Sequence, residues 1–197
     1  MSDKPFAPAA EQNKAAILAA LKKEFSAAKS VLEVGSGTGQ HASHFCQHLR
    51  HLNWQTSDLR ESIPAIQQWI DSSSCENLPP PIELDVNRTW PEQKYDAAFS
   101  ANTAHIFSWA EIEKLFQGLS QILKQDSKFC WYGPFHFNGQ ATSESNARFD
   151  HYLRAQNPEQ GVRDRETLIE LGLRNSLEYS HAVEMPSNNF ILVWRKL

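Results

Sequence analysis

Three alternating glycines, in Val31-Leu32-Glu33-Val34-Gly35-Ser36-Gly37-Thr38-Gly39, are the residues best placed to hold a ligand. Glycine lets the backbone turn sharply and lets a ligand come closer than any Cβ would allow. The apolar run before them reads as a strand. Gln40-His41-Ala42-Ser43-His44-Phe45 after them can open a helix, whose first turn offers unpaired N–H groups. The chemistry is therefore that of a backbone cradle for a nucleotide-type ligand, with an ordinary strand-to-helix turn as the plain alternative. Spacing decides between ligands. In the dinucleotide pattern G-x-G-x-x-G the last glycine falls one place later than Gly39 does, and the phosphate-cradling P-loop needs a Lys where Gln40 stands. Glu33 belongs to neither pattern.

Further candidates follow at the ends of other strand-like runs. Trp54-Gln55-Thr56-Ser57-Asp58 ends in an acid where ribose hydroxyls can be bound, with Leu59 next to it. Ile82-Glu83-Leu84-Asp85-Val86 ends the same way, and Asn102 and His105 follow the run from Tyr95 to Ala101. Asp is common wherever strands stop, so each acid alone also reads as a turn residue. For proton removal from an acceptor the candidates are His105, Tyr132 and His136, the last two after a fifth strand.

Elements must position these groups. Apolar residues at Ile17, Leu18, Leu21 and Phe25 predict an amphipathic helix over about 8–27. Helices are predicted over 40–49, 61–70, 109–123 and 145–154, the last capped by Thr142 or Ser143. Pro79-Pro80-Pro81 forms a stiff connector. Helices alternating with strands imply a parallel sheet covered on both faces. The runs 177–184 and 190–195 are joined by a link too short for a helical crossover, so they pair antiparallel.

Glu33 with the three glycines, E-x-G-x-G-x-G, resembles motif I of the class I S-adenosylmethionine (SAM) methyltransferases, and the run from Tyr95 to Asn102 resembles their motif IV. The resemblance implies an α/β, Rossmann-like class I methyltransferase fold: a mostly parallel seven-stranded sheet closed by a C-terminal antiparallel hairpin, in one domain over 1–197, with helix 8–27 as a lid. It implies SAM as cofactor and S-adenosylhomocysteine as product. Gly35, Ser36, Gly37 and Gly39 would face the methionine part, and Glu33 would fix the loop amides or the cofactor amine. Asp58 and Leu59 would lie at the ribose, Asp85 and Val86 at the adenine, with Asn102 beside them. A narrower resemblance rests on Ser36 to His41, Ala101-Asn102-Thr103-Ala104-His105-Ile106, Tyr132-Gly133-Pro134-Phe135, Ser145 to Asp150, Gly161-Val162-Arg163-Asp164 and Glu184 to Asn189. As a set these are similar to the DUF938 family, with departures at Gln12 and Thr103, where the family pattern has Arg and Met. This likeness implies that Asn13, Asn146 and Asp150 face the substrate; from the residues alone, Asn146 and Asp150 also read as a solvated helix face aided by an Asp150–Arg154 pair.

Composition limits the alternatives. A chain of 197 residues suits one domain, and a formal net charge of −4 argues against a nucleic-acid surface, leaving a small molecule as the expected partner. The three cysteines, Cys46, Cys75 and Cys130, are odd in number and form no C-x-x-C pair, so reduced thiols and a cytoplasmic protein are expected. No apolar run is long enough to span a membrane. His41, His44, His48 and His51 share one helical side, but no Cys or carboxylate joins them, so no metal is expected. A nicotinamide-dependent reductase would carry Tyr-x-x-x-Lys, and none of the four Tyr does. A non-catalytic SAM-binding partner protein remains the main alternative to an enzyme.

Overall fold

The short apolar runs between glycine- and proline-rich turns do become the centre of a sheet. The structure, a computed structural model, describes residues 4–197. In chain order the elements are α1 (Pro8–Glu24), β1 (Ser30–Val34), α2 (Gln40–His48), β2 (Asn53–Asp58), α3 (Ile63–Asp71), β3 (Ile82–Glu83), β4 (Tyr95–Ala101), α4 (Trp109–Ile122), β5 (Leu123–Gly133), β6 (Phe135–Phe137), β7 (Gln140–Ala141), α5 (Glu144–Gln156), β8 (Arg163–Asp164), α6 (Arg165–Arg174), β9 (Leu177–Met185) and β10 (Asn189–Lys196). The main sheet runs β3-β2-β1-β4-β5-β10-β9. Its first five strands are parallel, and β10 pairs antiparallel with both β5 and β9. This is the expected architecture.

Strand alternation sends side chains to two cores. Leu32, Val34, Ala98, Leu192 and Trp194 pack with α4 (Ile112, Leu115, Phe116, Leu119) and α6 (Leu168, Leu171). Val31, Ala97, Phe99, Ile191 and Val193 pack on the other face with α1 (Ile17, Leu18, Leu21) and α2 (Ala42, Phe45).

Several boundaries differ from expectation. The first helix stops at Glu24 rather than 27. A single 3-10 turn over Arg60–Ser62 precedes α3. As an edge strand, β3 pairs with β2 at only two positions, so Leu84, Asp85 and Val86 leave the sheet as a loop. Helix α6 and the small sheet β7-β6-β8 are additions. The helix signal was present: Asp164 caps α6 by accepting from Glu166 and Thr167 N–H. Two-residue strands, by contrast, carry no period to read.

The expectation of three reduced thiols is overturned. The turn after α3 brings Cys75 back beside α2, their Cα atoms 6.1 Å apart, and Cys46 and Cys75 form a disulfide. Cys130 is left as a buried free thiol, pushed well above its ordinary range by burial. Cross-linking positions 29 residues apart is worth roughly 3–4 kcal/mol in the chain-entropy account. Reduction with dithiothreitol is therefore expected to lower the urea midpoint, and thiol titration of unreduced, unfolded protein to count one group. Three titrating thiols would contradict this. Among the described residues no helix is long and apolar enough to cross a membrane.

Candidate functional site

Strand β1 delivers its last residue, Val34, to a loop whose glycines all lie at positive φ: Gly35 at 74°, Gly37 at 58° and Gly39 at 88°. The carbonyl of Ser57 accepts from both Gly35 and Ser36 N–H at 3.0 Å, which ties the loop to the end of β2. One residue on, the Asp58 carboxylate accepts from Gly37 N–H and Leu59 N–H, both at 2.7 Å. The glycines have different work. A Cβ at Gly39 would sit 3.1 Å from the Cα of Ile66, so this glycine lets α2 pack on α3. A Cβ at Gly35 would meet Thr103 Cγ2 at 2.7 Å, whereas one at Gly37 would meet no atom within 4 Å.

Beside the loop is a cavity of about 390 Å³. Of the residues expected at the cofactor, Gly35, Gly37, Asp58, Leu59, Asp85, Val86 and Asn102 line it. Glu33, Ser36 and Gly39 stand behind the wall instead. Ser36 Oγ and Trp54 Nε1 both donate to Glu33 Oε2 at 3.0 Å, so Glu33 braces the loop from beneath. Ile106, Phe107 and Glu111 also line it and had not been foreseen, and so does Thr103, which the sequence marked only as a departure from the family pattern. Asp58, Asp85 and Glu111 are the charged residues on it, and among the described residues no Lys, Arg or His lines it. Asn87 N–H holds the Asp85 carboxyl below its usual range, helped by Arg88 and opposed by desolvation.

Asn102 also lines a second cavity, of about 410 Å³, with Asn13, His105, Tyr132 and Asn146. Its φ of 59° is uncommon for a residue with a side chain, and its N–H donates to Tyr132 carbonyl at 2.8 Å. The end of β4 is thereby turned between the two chambers. The wall from α1 is Ala9, Gln12 and Asn13, while the rest of that helix is anchored in the core through Ile17, Leu18 and Leu21. His41 Nε2 lies 2.7 Å from Asn13 Oδ1, and Gln40 Oε1 accepts from Ala7 N–H, so the first turn of α2 holds α1 in place.

Two expected residues go elsewhere. His136 and Asp150 line a third cavity, with Arg154, Arg163 and Asp164. After Gly133 and Pro134 the chain leaves the main sheet as β6, which pairs with β7 and β8 and carries His136 away from His105 and Tyr132. Asp150 sits one helical turn beyond Asn146, where it accepts from Arg154 Nε at 3.0 Å and Val162 N–H at 2.7 Å. Phe149, Pro186, Ser187 and Asn189 stand in the second cavity unforeseen.

A profile of the family described as "Protein of unknown function (DUF938)" matches residues 4–196. The chain belongs to the DUF938 family. Among solved structures, this DUF938 chain is similar to an O-methyltransferase family protein from Burkholderia thailandensis, with a TM-score of 0.80 at 12% identity over 93% of this chain and 56% of that one. It is similar to human N-acetylserotonin methyltransferase, a structure in complex with SAM, with a TM-score of 0.81 at 15% identity over 95% and 52%. It is also similar to the mitomycin 7-O-methyltransferase MmcR, with a TM-score of 0.84 at 13% identity over 96% and 54%. The chain spans about half the length of these proteins, and the likeness establishes the Rossmann-like methyltransferase fold.

The DUF938 site is electrostatically unusual at three buried groups. Burial pulls the His41 imidazole down to about 4, with His44 and Lys14 adding to it. Burial pulls His105 to about 4 as well, aided by Arg163. Burial pushes Glu33 up to about 7, against the pull of its Trp54 and Ser36 hydrogen bonds, and the Asp58 charge adds to the rise. Each depressed histidine contributes stability that is complete above its unfolded value and is lost as pH falls from about 6.5 toward 4. Raised Glu33 acts oppositely: its stabilisation is complete below about 4.5 and is lost as pH rises toward 7. Two histidines outweigh one carboxyl, so these groups together should cost about 3 kcal/mol of stability between pH 6.5 and 4.5. In a Glu33→Gln variant the same interval should cost roughly twice that. Urea midpoints measured across this range check both figures; a slope unchanged by the substitution would exclude the assignment.

Proposed function

We propose that this protein is a SAM-dependent methyltransferase whose acceptor is a small molecule. One observation carries the reading: an acidic, cation-free cavity beside the glycine loop adjoins a second chamber at Asn102. Three carboxylates on the wall, of which among the described residues only Asp85 is paired with a cation (Arg88, 3.4 Å away and off the lining), suit a ligand that carries positive charge and ribose hydroxyls, and they repel the phosphates of a dinucleotide. The lining fits SAM. Gly37 adds nothing where a Cβ would find open space. Gly35 and Gly37 would face the methionine half, Asp58 the ribose hydroxyls, and Asp85 with Val86 the adenine. When bound, SAM supplies a methyl group on a sulfonium sulfur; the acceptor's lone pair takes the carbon, sulfur keeps the old bonding pair, and the acceptor's proton leaves.

The chain's own contribution is largely positioning, which can supply roughly 7–11 kcal/mol when reacting groups are held in line. Asn102, braced against β5, divides cofactor from acceptor. His105 is 6% exposed, and its Nδ1 has no partner among the described residues. It stays neutral at neutral pH and so can accept a proton, though weakly. Tyr132, raised by burial against an Asn13 hydrogen bond, stays protonated and orients the acceptor. His136, in the other cavity, takes no part.

Calorimetric titration with SAM tests the reading. The wild type should bind, and Asp58→Ala should bind roughly 100-fold more weakly, since two charge-assisted hydrogen bonds at about 1.5 kcal/mol or more each are lost. An unaltered affinity in the variant would remove the proposal.

A further inference from the structure

We infer that the second cavity selects an uncharged small molecule that offers hydroxyl or N–H donors. The inference rests on the methyltransferase reading for the acceptor's fate, but its selectivity can be measured separately.

Among the described residues no Lys, Arg, Asp or Glu lines this cavity of about 410 Å³. The charges around it are already committed. Glu11 pairs with Lys14 on α1, and Asp150 with Arg154 on α5. Arg163 donates to the carbonyls of Ala104, Phe107 and Glu159. A charged guest would lose water with no opposite charge on the described wall to compensate it, a cost of several kcal/mol in general. The two titratable groups on the wall, His105 and Tyr132, are both uncharged at neutral pH.

The amides narrow the class further. Asn146 Nδ2 donates to Thr142 Oγ1 and to the carbonyl of Asn188, both at 2.9 Å. Asn189 Nδ2 donates to the carbonyls of Pro186 and Ser187, at 3.2 and 3.3 Å. A carbonyl can only accept, so both amides are fixed with nitrogen toward the protein and Oδ1 left unspent. Two unspent carbonyl oxygens call for donors on the guest. Phe149, Pro134 and Pro186 offer it an apolar side.

The test uses three near-isosteric probes, 4-hydroxybenzamide, 4-hydroxybenzoate and 4-hydroxybenzamidine, and the bulkier, donor-free N,N-dimethyl-4-methoxybenzamide. Binding to the full chain is followed by side-chain amide shifts of 15N-labelled protein, with and without saturating SAM. The neutral amide should bind at least 10-fold more tightly than the other three and should move the Asn146 and Asn189 signals. Gln12 lies on an exposed face of α1 and also lines the cavity. Gln12→Lys should turn the preference toward 4-hydroxybenzoate. Equal or tighter binding of either ion by the wild type overturns the inference, as does no binding of any probe at millimolar concentration. Failure of SAM to bind while the amide preference holds would instead strike the methyltransferase reading alone.

Discussion

Gly37→Ala is expected to abolish SAM binding while the fold stands, and Gly39→Ala to do the reverse. Both positions lie at positive φ, so either alanine costs about 1–2 kcal/mol in backbone conformation. Their surroundings separate them. The methyl at position 37 meets no protein atom but points from a residue on the cofactor cavity's wall. It therefore competes with the ligand for space, and affinity should fall at least 100-fold. At position 39 the methyl would lie 3.1 Å from Ile66 Cα and 3.3 Å from its carbonyl oxygen. Backbone cannot step aside as a side-chain tip can, so overpacking adds roughly 1–3 kcal/mol. Urea unfolding and SAM calorimetry on the two variants give a two-by-two result. Equal loss of both properties in both variants would show that the loop is a structural turn only.

Gly118→Ala should also be strongly destabilising. An alanine in a helix interior normally stabilises by about 1 kcal/mol over glycine. Here the added carbon would fall 1.9 Å from the indole of Trp90, which seats in a notch on α4. The clash is far larger than the propensity gain, so Trp90 must leave. We expect a net loss of about 3 kcal/mol and a red shift in tryptophan emission. The loss should reach the ligand too, because Trp90 Nε1 donates to the carbonyl of Val86, which lines the cofactor cavity. SAM affinity is expected to fall by roughly 10-fold through the displaced loop. A variant as stable as the wild type would mean that α4 and the loop do not pack this closely in solution.

What could be read from residues alone was whatever rests on local rules. The glycine loop and Asp58 were legible because strand ends and left-handed turns impose residue types within a few positions; Asp85, expected at the end of a strand, lies in the loop after β3. The antiparallel hairpin was legible because the link from Met185 to Asn189 is too short for any other connection. Features that depend on distant packing were not. Cys46 meets Cys75 only because the turn after α3 doubles back. His136 looked equivalent to Tyr132 from its place after β5, but the departure of β6 carries it to another cavity. Asn146 and Asp150 share a helix side, and one turn of rise along α5 is enough to put them in different chambers. Glu33 was singled out by its place before the loop; its burial, and hence its bracing role, could be seen only with Trp54 folded over it.

On the proposed function, the cavity beside Gly37 holds a sulfonium-bearing nucleoside. A crystal of the full chain grown with excess SAM tests it most directly. Density is expected with the ribose on Asp58, the adenine between Leu59 and Val86, and the sulfur facing Asn102 and the second chamber. An empty cavity, or a ligand that avoids Asp58, would contradict it.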